Sequence, residues 1–276
     1  MDLSPAARRA AAALKAARAL VITAGAGMGV DSGLPDFRGD AGFWKAYPPY
    51  ERLGLSFVDA ANPERFDGDP ELGWGFYGHR LHLYRDTVPH PGFALLRRWI
   101  EALGLEAFVV TSNVDGQFQR AGFDEARVVE VHGSIHHLQC TTPCGDAIWP
   151  NREEVPVDLA TMRAGRVPRC PRCGAVSRPN ILMFGDGAWL PDRSHAQDRA
   201  FRGWLAGLGG APLVAVELGA GTAIPTIRHA TEDLGARRGA TAVRINPREP
   251  SIPAPHLSLP VGALEGLRAI DAALGG

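Results

Sequence analysis

No apolar stretch in this 276-residue chain approaches the roughly 20 residues that a bilayer-spanning helix needs. No long basic run is present, and 29 Lys and Arg stand against 30 Asp and Glu, so the electrostatic footprint of a nucleic-acid binder is missing. Internal repeats and low-complexity tracts are also absent, which sets aside solenoids and biased arrays. The opening segment SPAARRAAAALKAARA lacks the apolar core of a secretory signal. It is Arg-rich and acid-poor like a transit peptide, but it runs straight into the first apolar run. It therefore reads as a structural helix, with Ser4 as cap and Pro5 in the first turn. Cysteine is scarce: four residues, all between positions 140 and 173. Clustered thiols without a secretory signal imply metal binding rather than disulfides, and a cytoplasmic location.

What remains is enough for one large domain, since 45% of the residues are hydrophobic. Short apolar runs alternate with helix-length stretches: ALVIT at 19–23, AFVVT at 107–111, VVEV at 128–131, NILMF at 180–184, LVAVEL at 213–218 and AVRI at 242–245. Runs of this kind read as buried parallel strands of a doubly wound, Rossmann-like α/β sheet. Segments 19–39, 91–137 and 178–265 would form that core. An aromatic-, Pro- and Gly-rich insertion of loop and helices fills 40–90, and a small module fills 138–177.

After the first run comes Gly25-Ala26-Gly27-Met28-Gly29-Val30-Asp31-Ser32-Gly33. Glycines between a strand and a helix start make a phosphate cradle, because the backbone can approach a pyrophosphate and free N–H groups can bind it. A structural tight turn would look similar. The dehydrogenase fingerprint would place Gly at position 30, where Val30 stands, and an acidic residue about 20 positions on. Neither occurs; the turn continues as Leu34-Pro35-Asp36-Phe37-Arg38-Gly39. Hydride transfer is disfavoured.

The stretch GAGMGVDSGLPDFRG closely resembles the signature opening of the sirtuins, and the resemblance extends over about 19–265. It implies an NAD site lined by Gly25, Ala26, Gly27, Asp36, Phe37 and Arg38. Thr111-Ser112-Asn113-Val114-Asp115-Gly116 is similar to the family's TQNIDG, with Ser112 where Gln is usual. Ser112, Asn113 and Asp115 would then hold the ribose and the nicotinamide carboxamide; an Asn/Asp-Gly turn capping a helix is the bland alternative. Val131-His132-Gly133 matches the catalytic His-Gly. The resemblance implies that His132 is the general base, a role for which its near-neutral pKa suits it. His136 and His137 lie nearby, but no motif selects them.

Cys140-x3-Cys144 and Cys170-x2-Cys173 have the spacing of a closed, tetrahedral, structural zinc site, and the module should unfold without metal. Sirtuins carry such a module directly after the catalytic histidine. Arg178-Pro179-Asn180-Ile181-Leu182-Met183-Phe184-Gly185-Asp186 resembles the family's RPDVVWFGE, whose strand and loop pair with the substrate backbone; Phe184 and Gly185 are thus candidate substrate residues, and Asp186 replaces the usual Glu. Tyr77 and Arg80, three apart on a probable helix, match the Tyr-x-x-Arg that holds succinyl- or malonyl-lysine in some sirtuins; an aromatic anchor beside a solvated arginine is the alternative. The late GTS motif is replaced by Glu217-Leu218-Gly219-Ala220-Gly221-Thr222, where Gly219, Gly221 and Thr222 could still serve the phosphates. Arg244-Ile245-Asn246 fits the pattern in which Asn246 contacts the adenosine. Ala263 aligns loosely beside the adenine.

These resemblances imply an enzyme that spends NAD to remove acyl groups from protein lysines, releasing nicotinamide and O-acyl-ADP-ribose. The altered GTS region and Ser112 support a protein mono-ADP-ribosyltransferase or NAD hydrolase as the first alternative. A non-catalytic NAD or ADP-ribose sensor is the second.

Overall fold

A computed structural model of the chain describes residues 3–35 and 39–276. Its strands run in chain order as β1 (Ala19–Ala24), β2 (Glu106–Thr111), β3 (Val128–Glu130), β4 (Gly133–Cys140), β5 (Trp149–Pro150), β6 (Val157–Asp158), β7 (Arg163–Ala164), β8 (Ser177–Ile181), β9 (Leu213–Leu218), β10 (Thr241–Ile245) and β11 (Leu257–Leu259). Six of them form one sheet in the order β11-β10-β9-β1-β2-β3. Every pairing in that sheet is parallel. All six residues of β1 are buried, as are all six of β9, which explains why these runs are mostly apolar instead of alternating.

Alternate β1 side chains feed two different cores. Leu20, Ile22 and Ala24 pack with Leu14, Leu96, Trp99, Leu267 and Ile270 from helices Ser4–Ala16, Pro91–Ala102 and Ala263–Leu274. Ala19 and Val21 face the other way, onto Phe108, Ile227 and Leu234, with Phe201 and Trp204 at the margin. Two opposed apolar faces on one strand are the physical content of a doubly wound fold.

The NILMF run is corrected. Its strand is β8, which ends at Ile181 and pairs antiparallel with β4 in a separate three-stranded sheet, β5-β4-β8. The sixth core strand is instead β11, three residues long and too short to register as an apolar run. At the N-terminus Leu3 occupies the capping position, and Ser4 is already helical.

The insertion folds into short helices and then one long helix, Pro70–Asp86. Its rings make a third core: Phe43, Tyr47, Tyr50, Phe66, Trp74, Phe76, Tyr77 and Tyr84 pack on Ile135, Leu138, Val155 and Met162. The long helix lies directly on the cysteine-bearing module. A Cβ added at Gly75 would sit 1.8 Å from the Met162 carbonyl oxygen, so only glycine permits this approach. The Trp74 indole N–H donates to the Ser177 carbonyl at 2.7 Å, and Arg163 of the module bonds Asp69 and Glu71 at the helix start. No helix among the described residues is long and apolar enough to cross a membrane.

Candidate active site

Chain order reverses at β1, with β2 and β3 laid to one side and β9, β10 and β11 to the other. Open parallel sheets bind ligands outside their carboxyl edge at such a switch point. That edge collects the glycine turn after β1, Ser112–Asp115 after β2, His132 after β3, Gly219–Thr222 after β9 and Asn246 after β10.

The loops are stitched to one another by main-chain bonds. Gly25 N–H donates to Leu218 O and Gly27 N–H to Gly219 O, both at 3.0 Å, while Ser112 N–H reaches Ala24 O at 3.1 Å. This corrects part of the phosphate-cradle reading, because the N–H groups of Gly25 and Gly27 are committed to the β9 loop. These glycines are required for backbone-on-backbone packing. A Cβ on Gly27 would lie 2.6 Å from Gly219 Cα, and Gly219 itself has φ +60°. Between them, Ala26 N–H makes no backbone hydrogen bond among the described residues. Asp36, Phe37 and Arg38 lie outside the described residues.

Asn113 fixes the β2 loop to the glycine turn by donating from Nδ2 to Gly25 O at 3.0 Å. Asp115 is buried; its carboxylate accepts the Gln117 N–H at 2.9 Å, and its carbonyl meets His136 Nε2 at 2.9 Å. Burial first, and the nearby Glu130 carboxylate as well, push the Asp115 carboxyl up from 3.8 to about 6, against the pull of Arg80. His132 is half-buried, and loss of solvent holds its pKa below the usual value while a hydrogen bond to the Ser112 backbone opposes the shift. A pKa held below the usual value favours the neutral imidazole, the form that a general base needs. Behind Asp115 lies a cavity of about 310 Å³ lined in part by Ser134, His136, His137 and Arg193.

At the other end, Thr222 donates its N–H (3.2 Å) and its hydroxyl to the Glu249 carboxylate. Gly221 is half-buried beside it. Asn246 is fully buried; its Nδ2 donates to Ala220 O at 2.8 Å and its Oδ1 accepts the N–H groups of Arg248 and Glu249 at 3.0 Å. Its side chain thus shapes the turn after β10. Ala263 is buried in the core that contains Leu267 and Ile270.

Tyr77 and Arg80 are both buried, so the solvated-arginine alternative is corrected. Arg80 Nε donates to Tyr84 OH at 2.9 Å, and its guanidinium lies 5.1–5.9 Å from the ring centres of Phe76, Tyr77 and Tyr84. Phe184 N–H donates to Ala61 O at 3.1 Å, and Gly185 takes a left-handed φ of +69° in an exposed turn.

The sulfur atoms of Cys140, Cys144, Cys170 and Cys173 all lie within 4.8 Å of one another, with Cys140–Cys173 and Cys144–Cys170 each at 3.7 Å. Zinc–sulfur bonds of about 2.3 Å in a tetrahedron separate sulfurs by about 3.8 Å. The donor set therefore fits a closed zinc site.

Charged residues inside the strands escaped sequence reasoning. Glu130, buried two residues before His132, pairs with Arg193 at 2.6 Å. Glu217 and Arg244 are register partners on β9 and β10 and form a fully buried ion pair at 2.5 and 2.9 Å. A lone charge inside an otherwise apolar run was the available signal.

A parallel sheet with a glycine turn at its switch point, a polar rim and a four-thiolate module defines a doubly wound α/β protein with a structural metal site. The Sir2 family model matches residues 25–199, and the chain belongs to that family. It is 37% identical over 175 residues to the NAD-dependent protein deacylase 2 of Pyrobaculum aerophilum, a match spanning 63% of this chain and 61% of that one. Against the NAD-dependent protein deacylase of Thermus thermophilus it is 33% identical over 263 residues, 92% of this chain and 89% of the relative. A crystal structure of a Sir2 homologue–NAD complex superposes with a TM-score of 0.71 at 27% identity, covering 96% of this chain and 94% of that one.

Proposed function

We propose that this chain is an NAD-dependent protein-lysine deacylase. The observation that carries the reading is the place of His132, half-buried just after β3 on the same carboxyl edge that carries the glycine turn after β1 and Ser112, Asn113 and Asp115 after β2. NAD supplies C1′ of the nicotinamide ribose as electrophile and nicotinamide as leaving group. The glycine turn with Ala26, and Asp36, Phe37 and Arg38, would line the cofactor. Ser112, Asn113 and Asp115 would orient the ribose and carboxamide, and Gly219, Gly221 and Thr222 the phosphates, while Asn246 would support the adenosine by holding its turn. When the substrate's acyl oxygen displaces nicotinamide, His132 would take the proton from a ribose hydroxyl. The ribose oxygen so freed would attack the acyl carbon, the amide C–N bond would break to release lysine, and one water from solvent would complete O-acyl-ADP-ribose. Partial burial of His132 keeps solvent from one side of the base.

Phe184 and Gly185 would meet the peptide, and Tyr77 and Arg80 the acyl end, a charged guanidinium among phenols being suited to a succinyl or malonyl carboxylate. Zinc on the four cysteines would be structural, and thiols set at ligand spacing fit a cytoplasmic protein. The division into core, insertion and module at 40–90 and 138–177 belongs to the same proposal. Ser112 where the family has Gln, and the altered stretch Gly219–Thr222, support as a second reading ADP-ribosyl transfer to protein or water.

The test is incubation with NAD and acetyl-, succinyl- or malonyl-lysine peptides, followed by mass spectrometry. O-acyl-ADP-ribose is expected; an ADP-ribosyl adduct, or free ADP-ribose with unchanged peptide, indicates the second reading. His132→Ala should abolish turnover with zinc retained, and full activity in that variant would remove the mechanism. Tyr77→Phe with Arg80→Met should depress desuccinylation more than deacetylation, and equal losses would exclude the carboxylate clamp.

A further inference from the structure

The segment after β8 is held from within by a set of buried side chains that no step above uses. Asp186 and Arg178 form a two-point ion pair at 2.6 and 2.8 Å, with side chains 0% and 1% exposed. The Asp186 carboxylate also accepts the N–H groups of Met183 at 3.3 Å and Ala188 at 3.2 Å. One residue across, Gln139 on β4 accepts the Leu190 N–H at 3.0 Å and donates to Ala188 O at 2.8 Å. Asn180 donates to Gln139 Oε1 and to Leu190 O, both at 2.9 Å. Leu182 N–H is bonded to His132 O at 2.9 Å, so the same segment is joined to the base.

We propose that Asp186, with Arg178 and the Gln139–Asn180 pair, positions the Leu182–Gly185 segment as a preformed docking edge for the acyl-lysine peptide. A loop that folded only on binding would cost ordering entropy at that moment, and buried bonds at both ends of 182–190 remove that cost. The N–H groups of Leu182, Met183 and Phe184 are committed to His132 O, Asp186 and Ala61 O, which fixes which faces of the segment remain for a peptide. The side chain matters by length as well as charge: Asp186 reaches Arg178 and two main-chain N–H groups at once, and the Glu usual in the family is one methylene longer. The tie to His132 is made by the Leu182 main chain and not by Asp186, whose side chain bonds Arg178, Met183 and Ala188, so its effect falls on peptide binding.

This inference rests on the deacylase reading for its kinetic readout. Steady-state kinetics with an acetyl-lysine peptide on the zinc-loaded full chain should show Asp186→Asn raising the peptide KM about tenfold with kcat changed less than about twofold. Asp186→Glu, which keeps the charge but is one methylene longer, should recover only part of that loss, and ADP-ribose affinity by calorimetry should stay the same in both. Asn180→Ser, which leaves the ion pair intact, should raise KM in the same direction by a smaller factor and covers the case in which Asp186→Asn fails to fold. An unchanged KM, or a parallel fall in kcat and ADP-ribose affinity, would overturn the assignment. Hydrogen exchange separates this from failure of the deacylase reading: if the wild type turns over no peptide, faster exchange confined to 182–190 in the variants still upholds the positioning bonds, and unchanged exchange there refutes them.

Discussion

Asp115 is a carboxylic acid kept where its ionised form is disfavoured, and removing the charge should stabilise the protein. Burial and Glu130 raise its pKa from 3.8 to about 6, and the residue is only 8% exposed. At about 1.4 kcal/mol per pH unit, that climb corresponds to about 3 kcal/mol of folding stability. The folded-state pKa is raised, so the cost is absent below about pH 4, where both states are protonated. It grows as the unfolded chain ionises while the fold resists, and is complete above about pH 6. Asp115→Asn is neutral throughout and keeps an oxygen for the Gln117 N–H. Denaturant unfolding at about pH 8 should therefore find the variant more stable by up to about 3 kcal/mol, and at about pH 4 nearly equal to the wild type. NAD-dependent turnover should collapse in the same variant. A loss of stability of equal size at both pH values would refute the reasoning.

Gly219→Ala forces an L side chain to φ +60° and a Cβ to 2.3 Å from Gly27 Cα. The strain alone is worth about 1–3 kcal/mol, and parting the two loops should weaken ADP-ribose binding about tenfold by calorimetry, with an unchanged affinity as the contrary result. Stripping zinc with a strong chelator should expose four titratable thiols and remove the seat of helix Pro70–Asp86, which rests on Met162 through Gly75. Each kcal/mol lost lowers Tm by about 2–4 °C in a domain of this size, so differential scanning calorimetry should show a clear drop, and an unaltered Tm would mean that the module is not metal-dependent.

The doubly wound architecture was legible because β1, β2, β9 and β10 are buried on both faces and so read as continuous apolar runs. The cysteine set was legible because thiolate spacing is chemistry-specific. NILMF misled for a related reason: Asn180 and Ile181 are buried by a second sheet, and burial alone does not tell parallel from antiparallel pairing. β11 was missed because three residues set no period. The glycine turn shows the subtler limit, since its glycines were recognised while the partner that requires them, Gly219, sits nearly 200 positions away. Arg80 was ambiguous for the same reason, as its Tyr84 partner is one helical turn on but its burial depends on the module.

The charged residues of the late strands form one connected network. Glu217 stands where an apolar strand residue would be expected, and Arg244, its register partner, answers it from β10 while also reaching Glu232 at 2.9 Å. Removing one member would strand a buried charge, at a cost of about 3–5 kcal/mol, so the two could be retained only as a pair. Arg228 extends the network to the carbonyls of Ala220, Glu249 and Ser251, which pins the loops after β9 and β10 at the carboxyl edge of the sheet. The result of that pinning is a turn that presents Glu249 to Thr222. A phosphate using the Thr222 hydroxyl would have to displace a carboxylate already bound there, so the bonds that order this edge compete with a ligand for that donor.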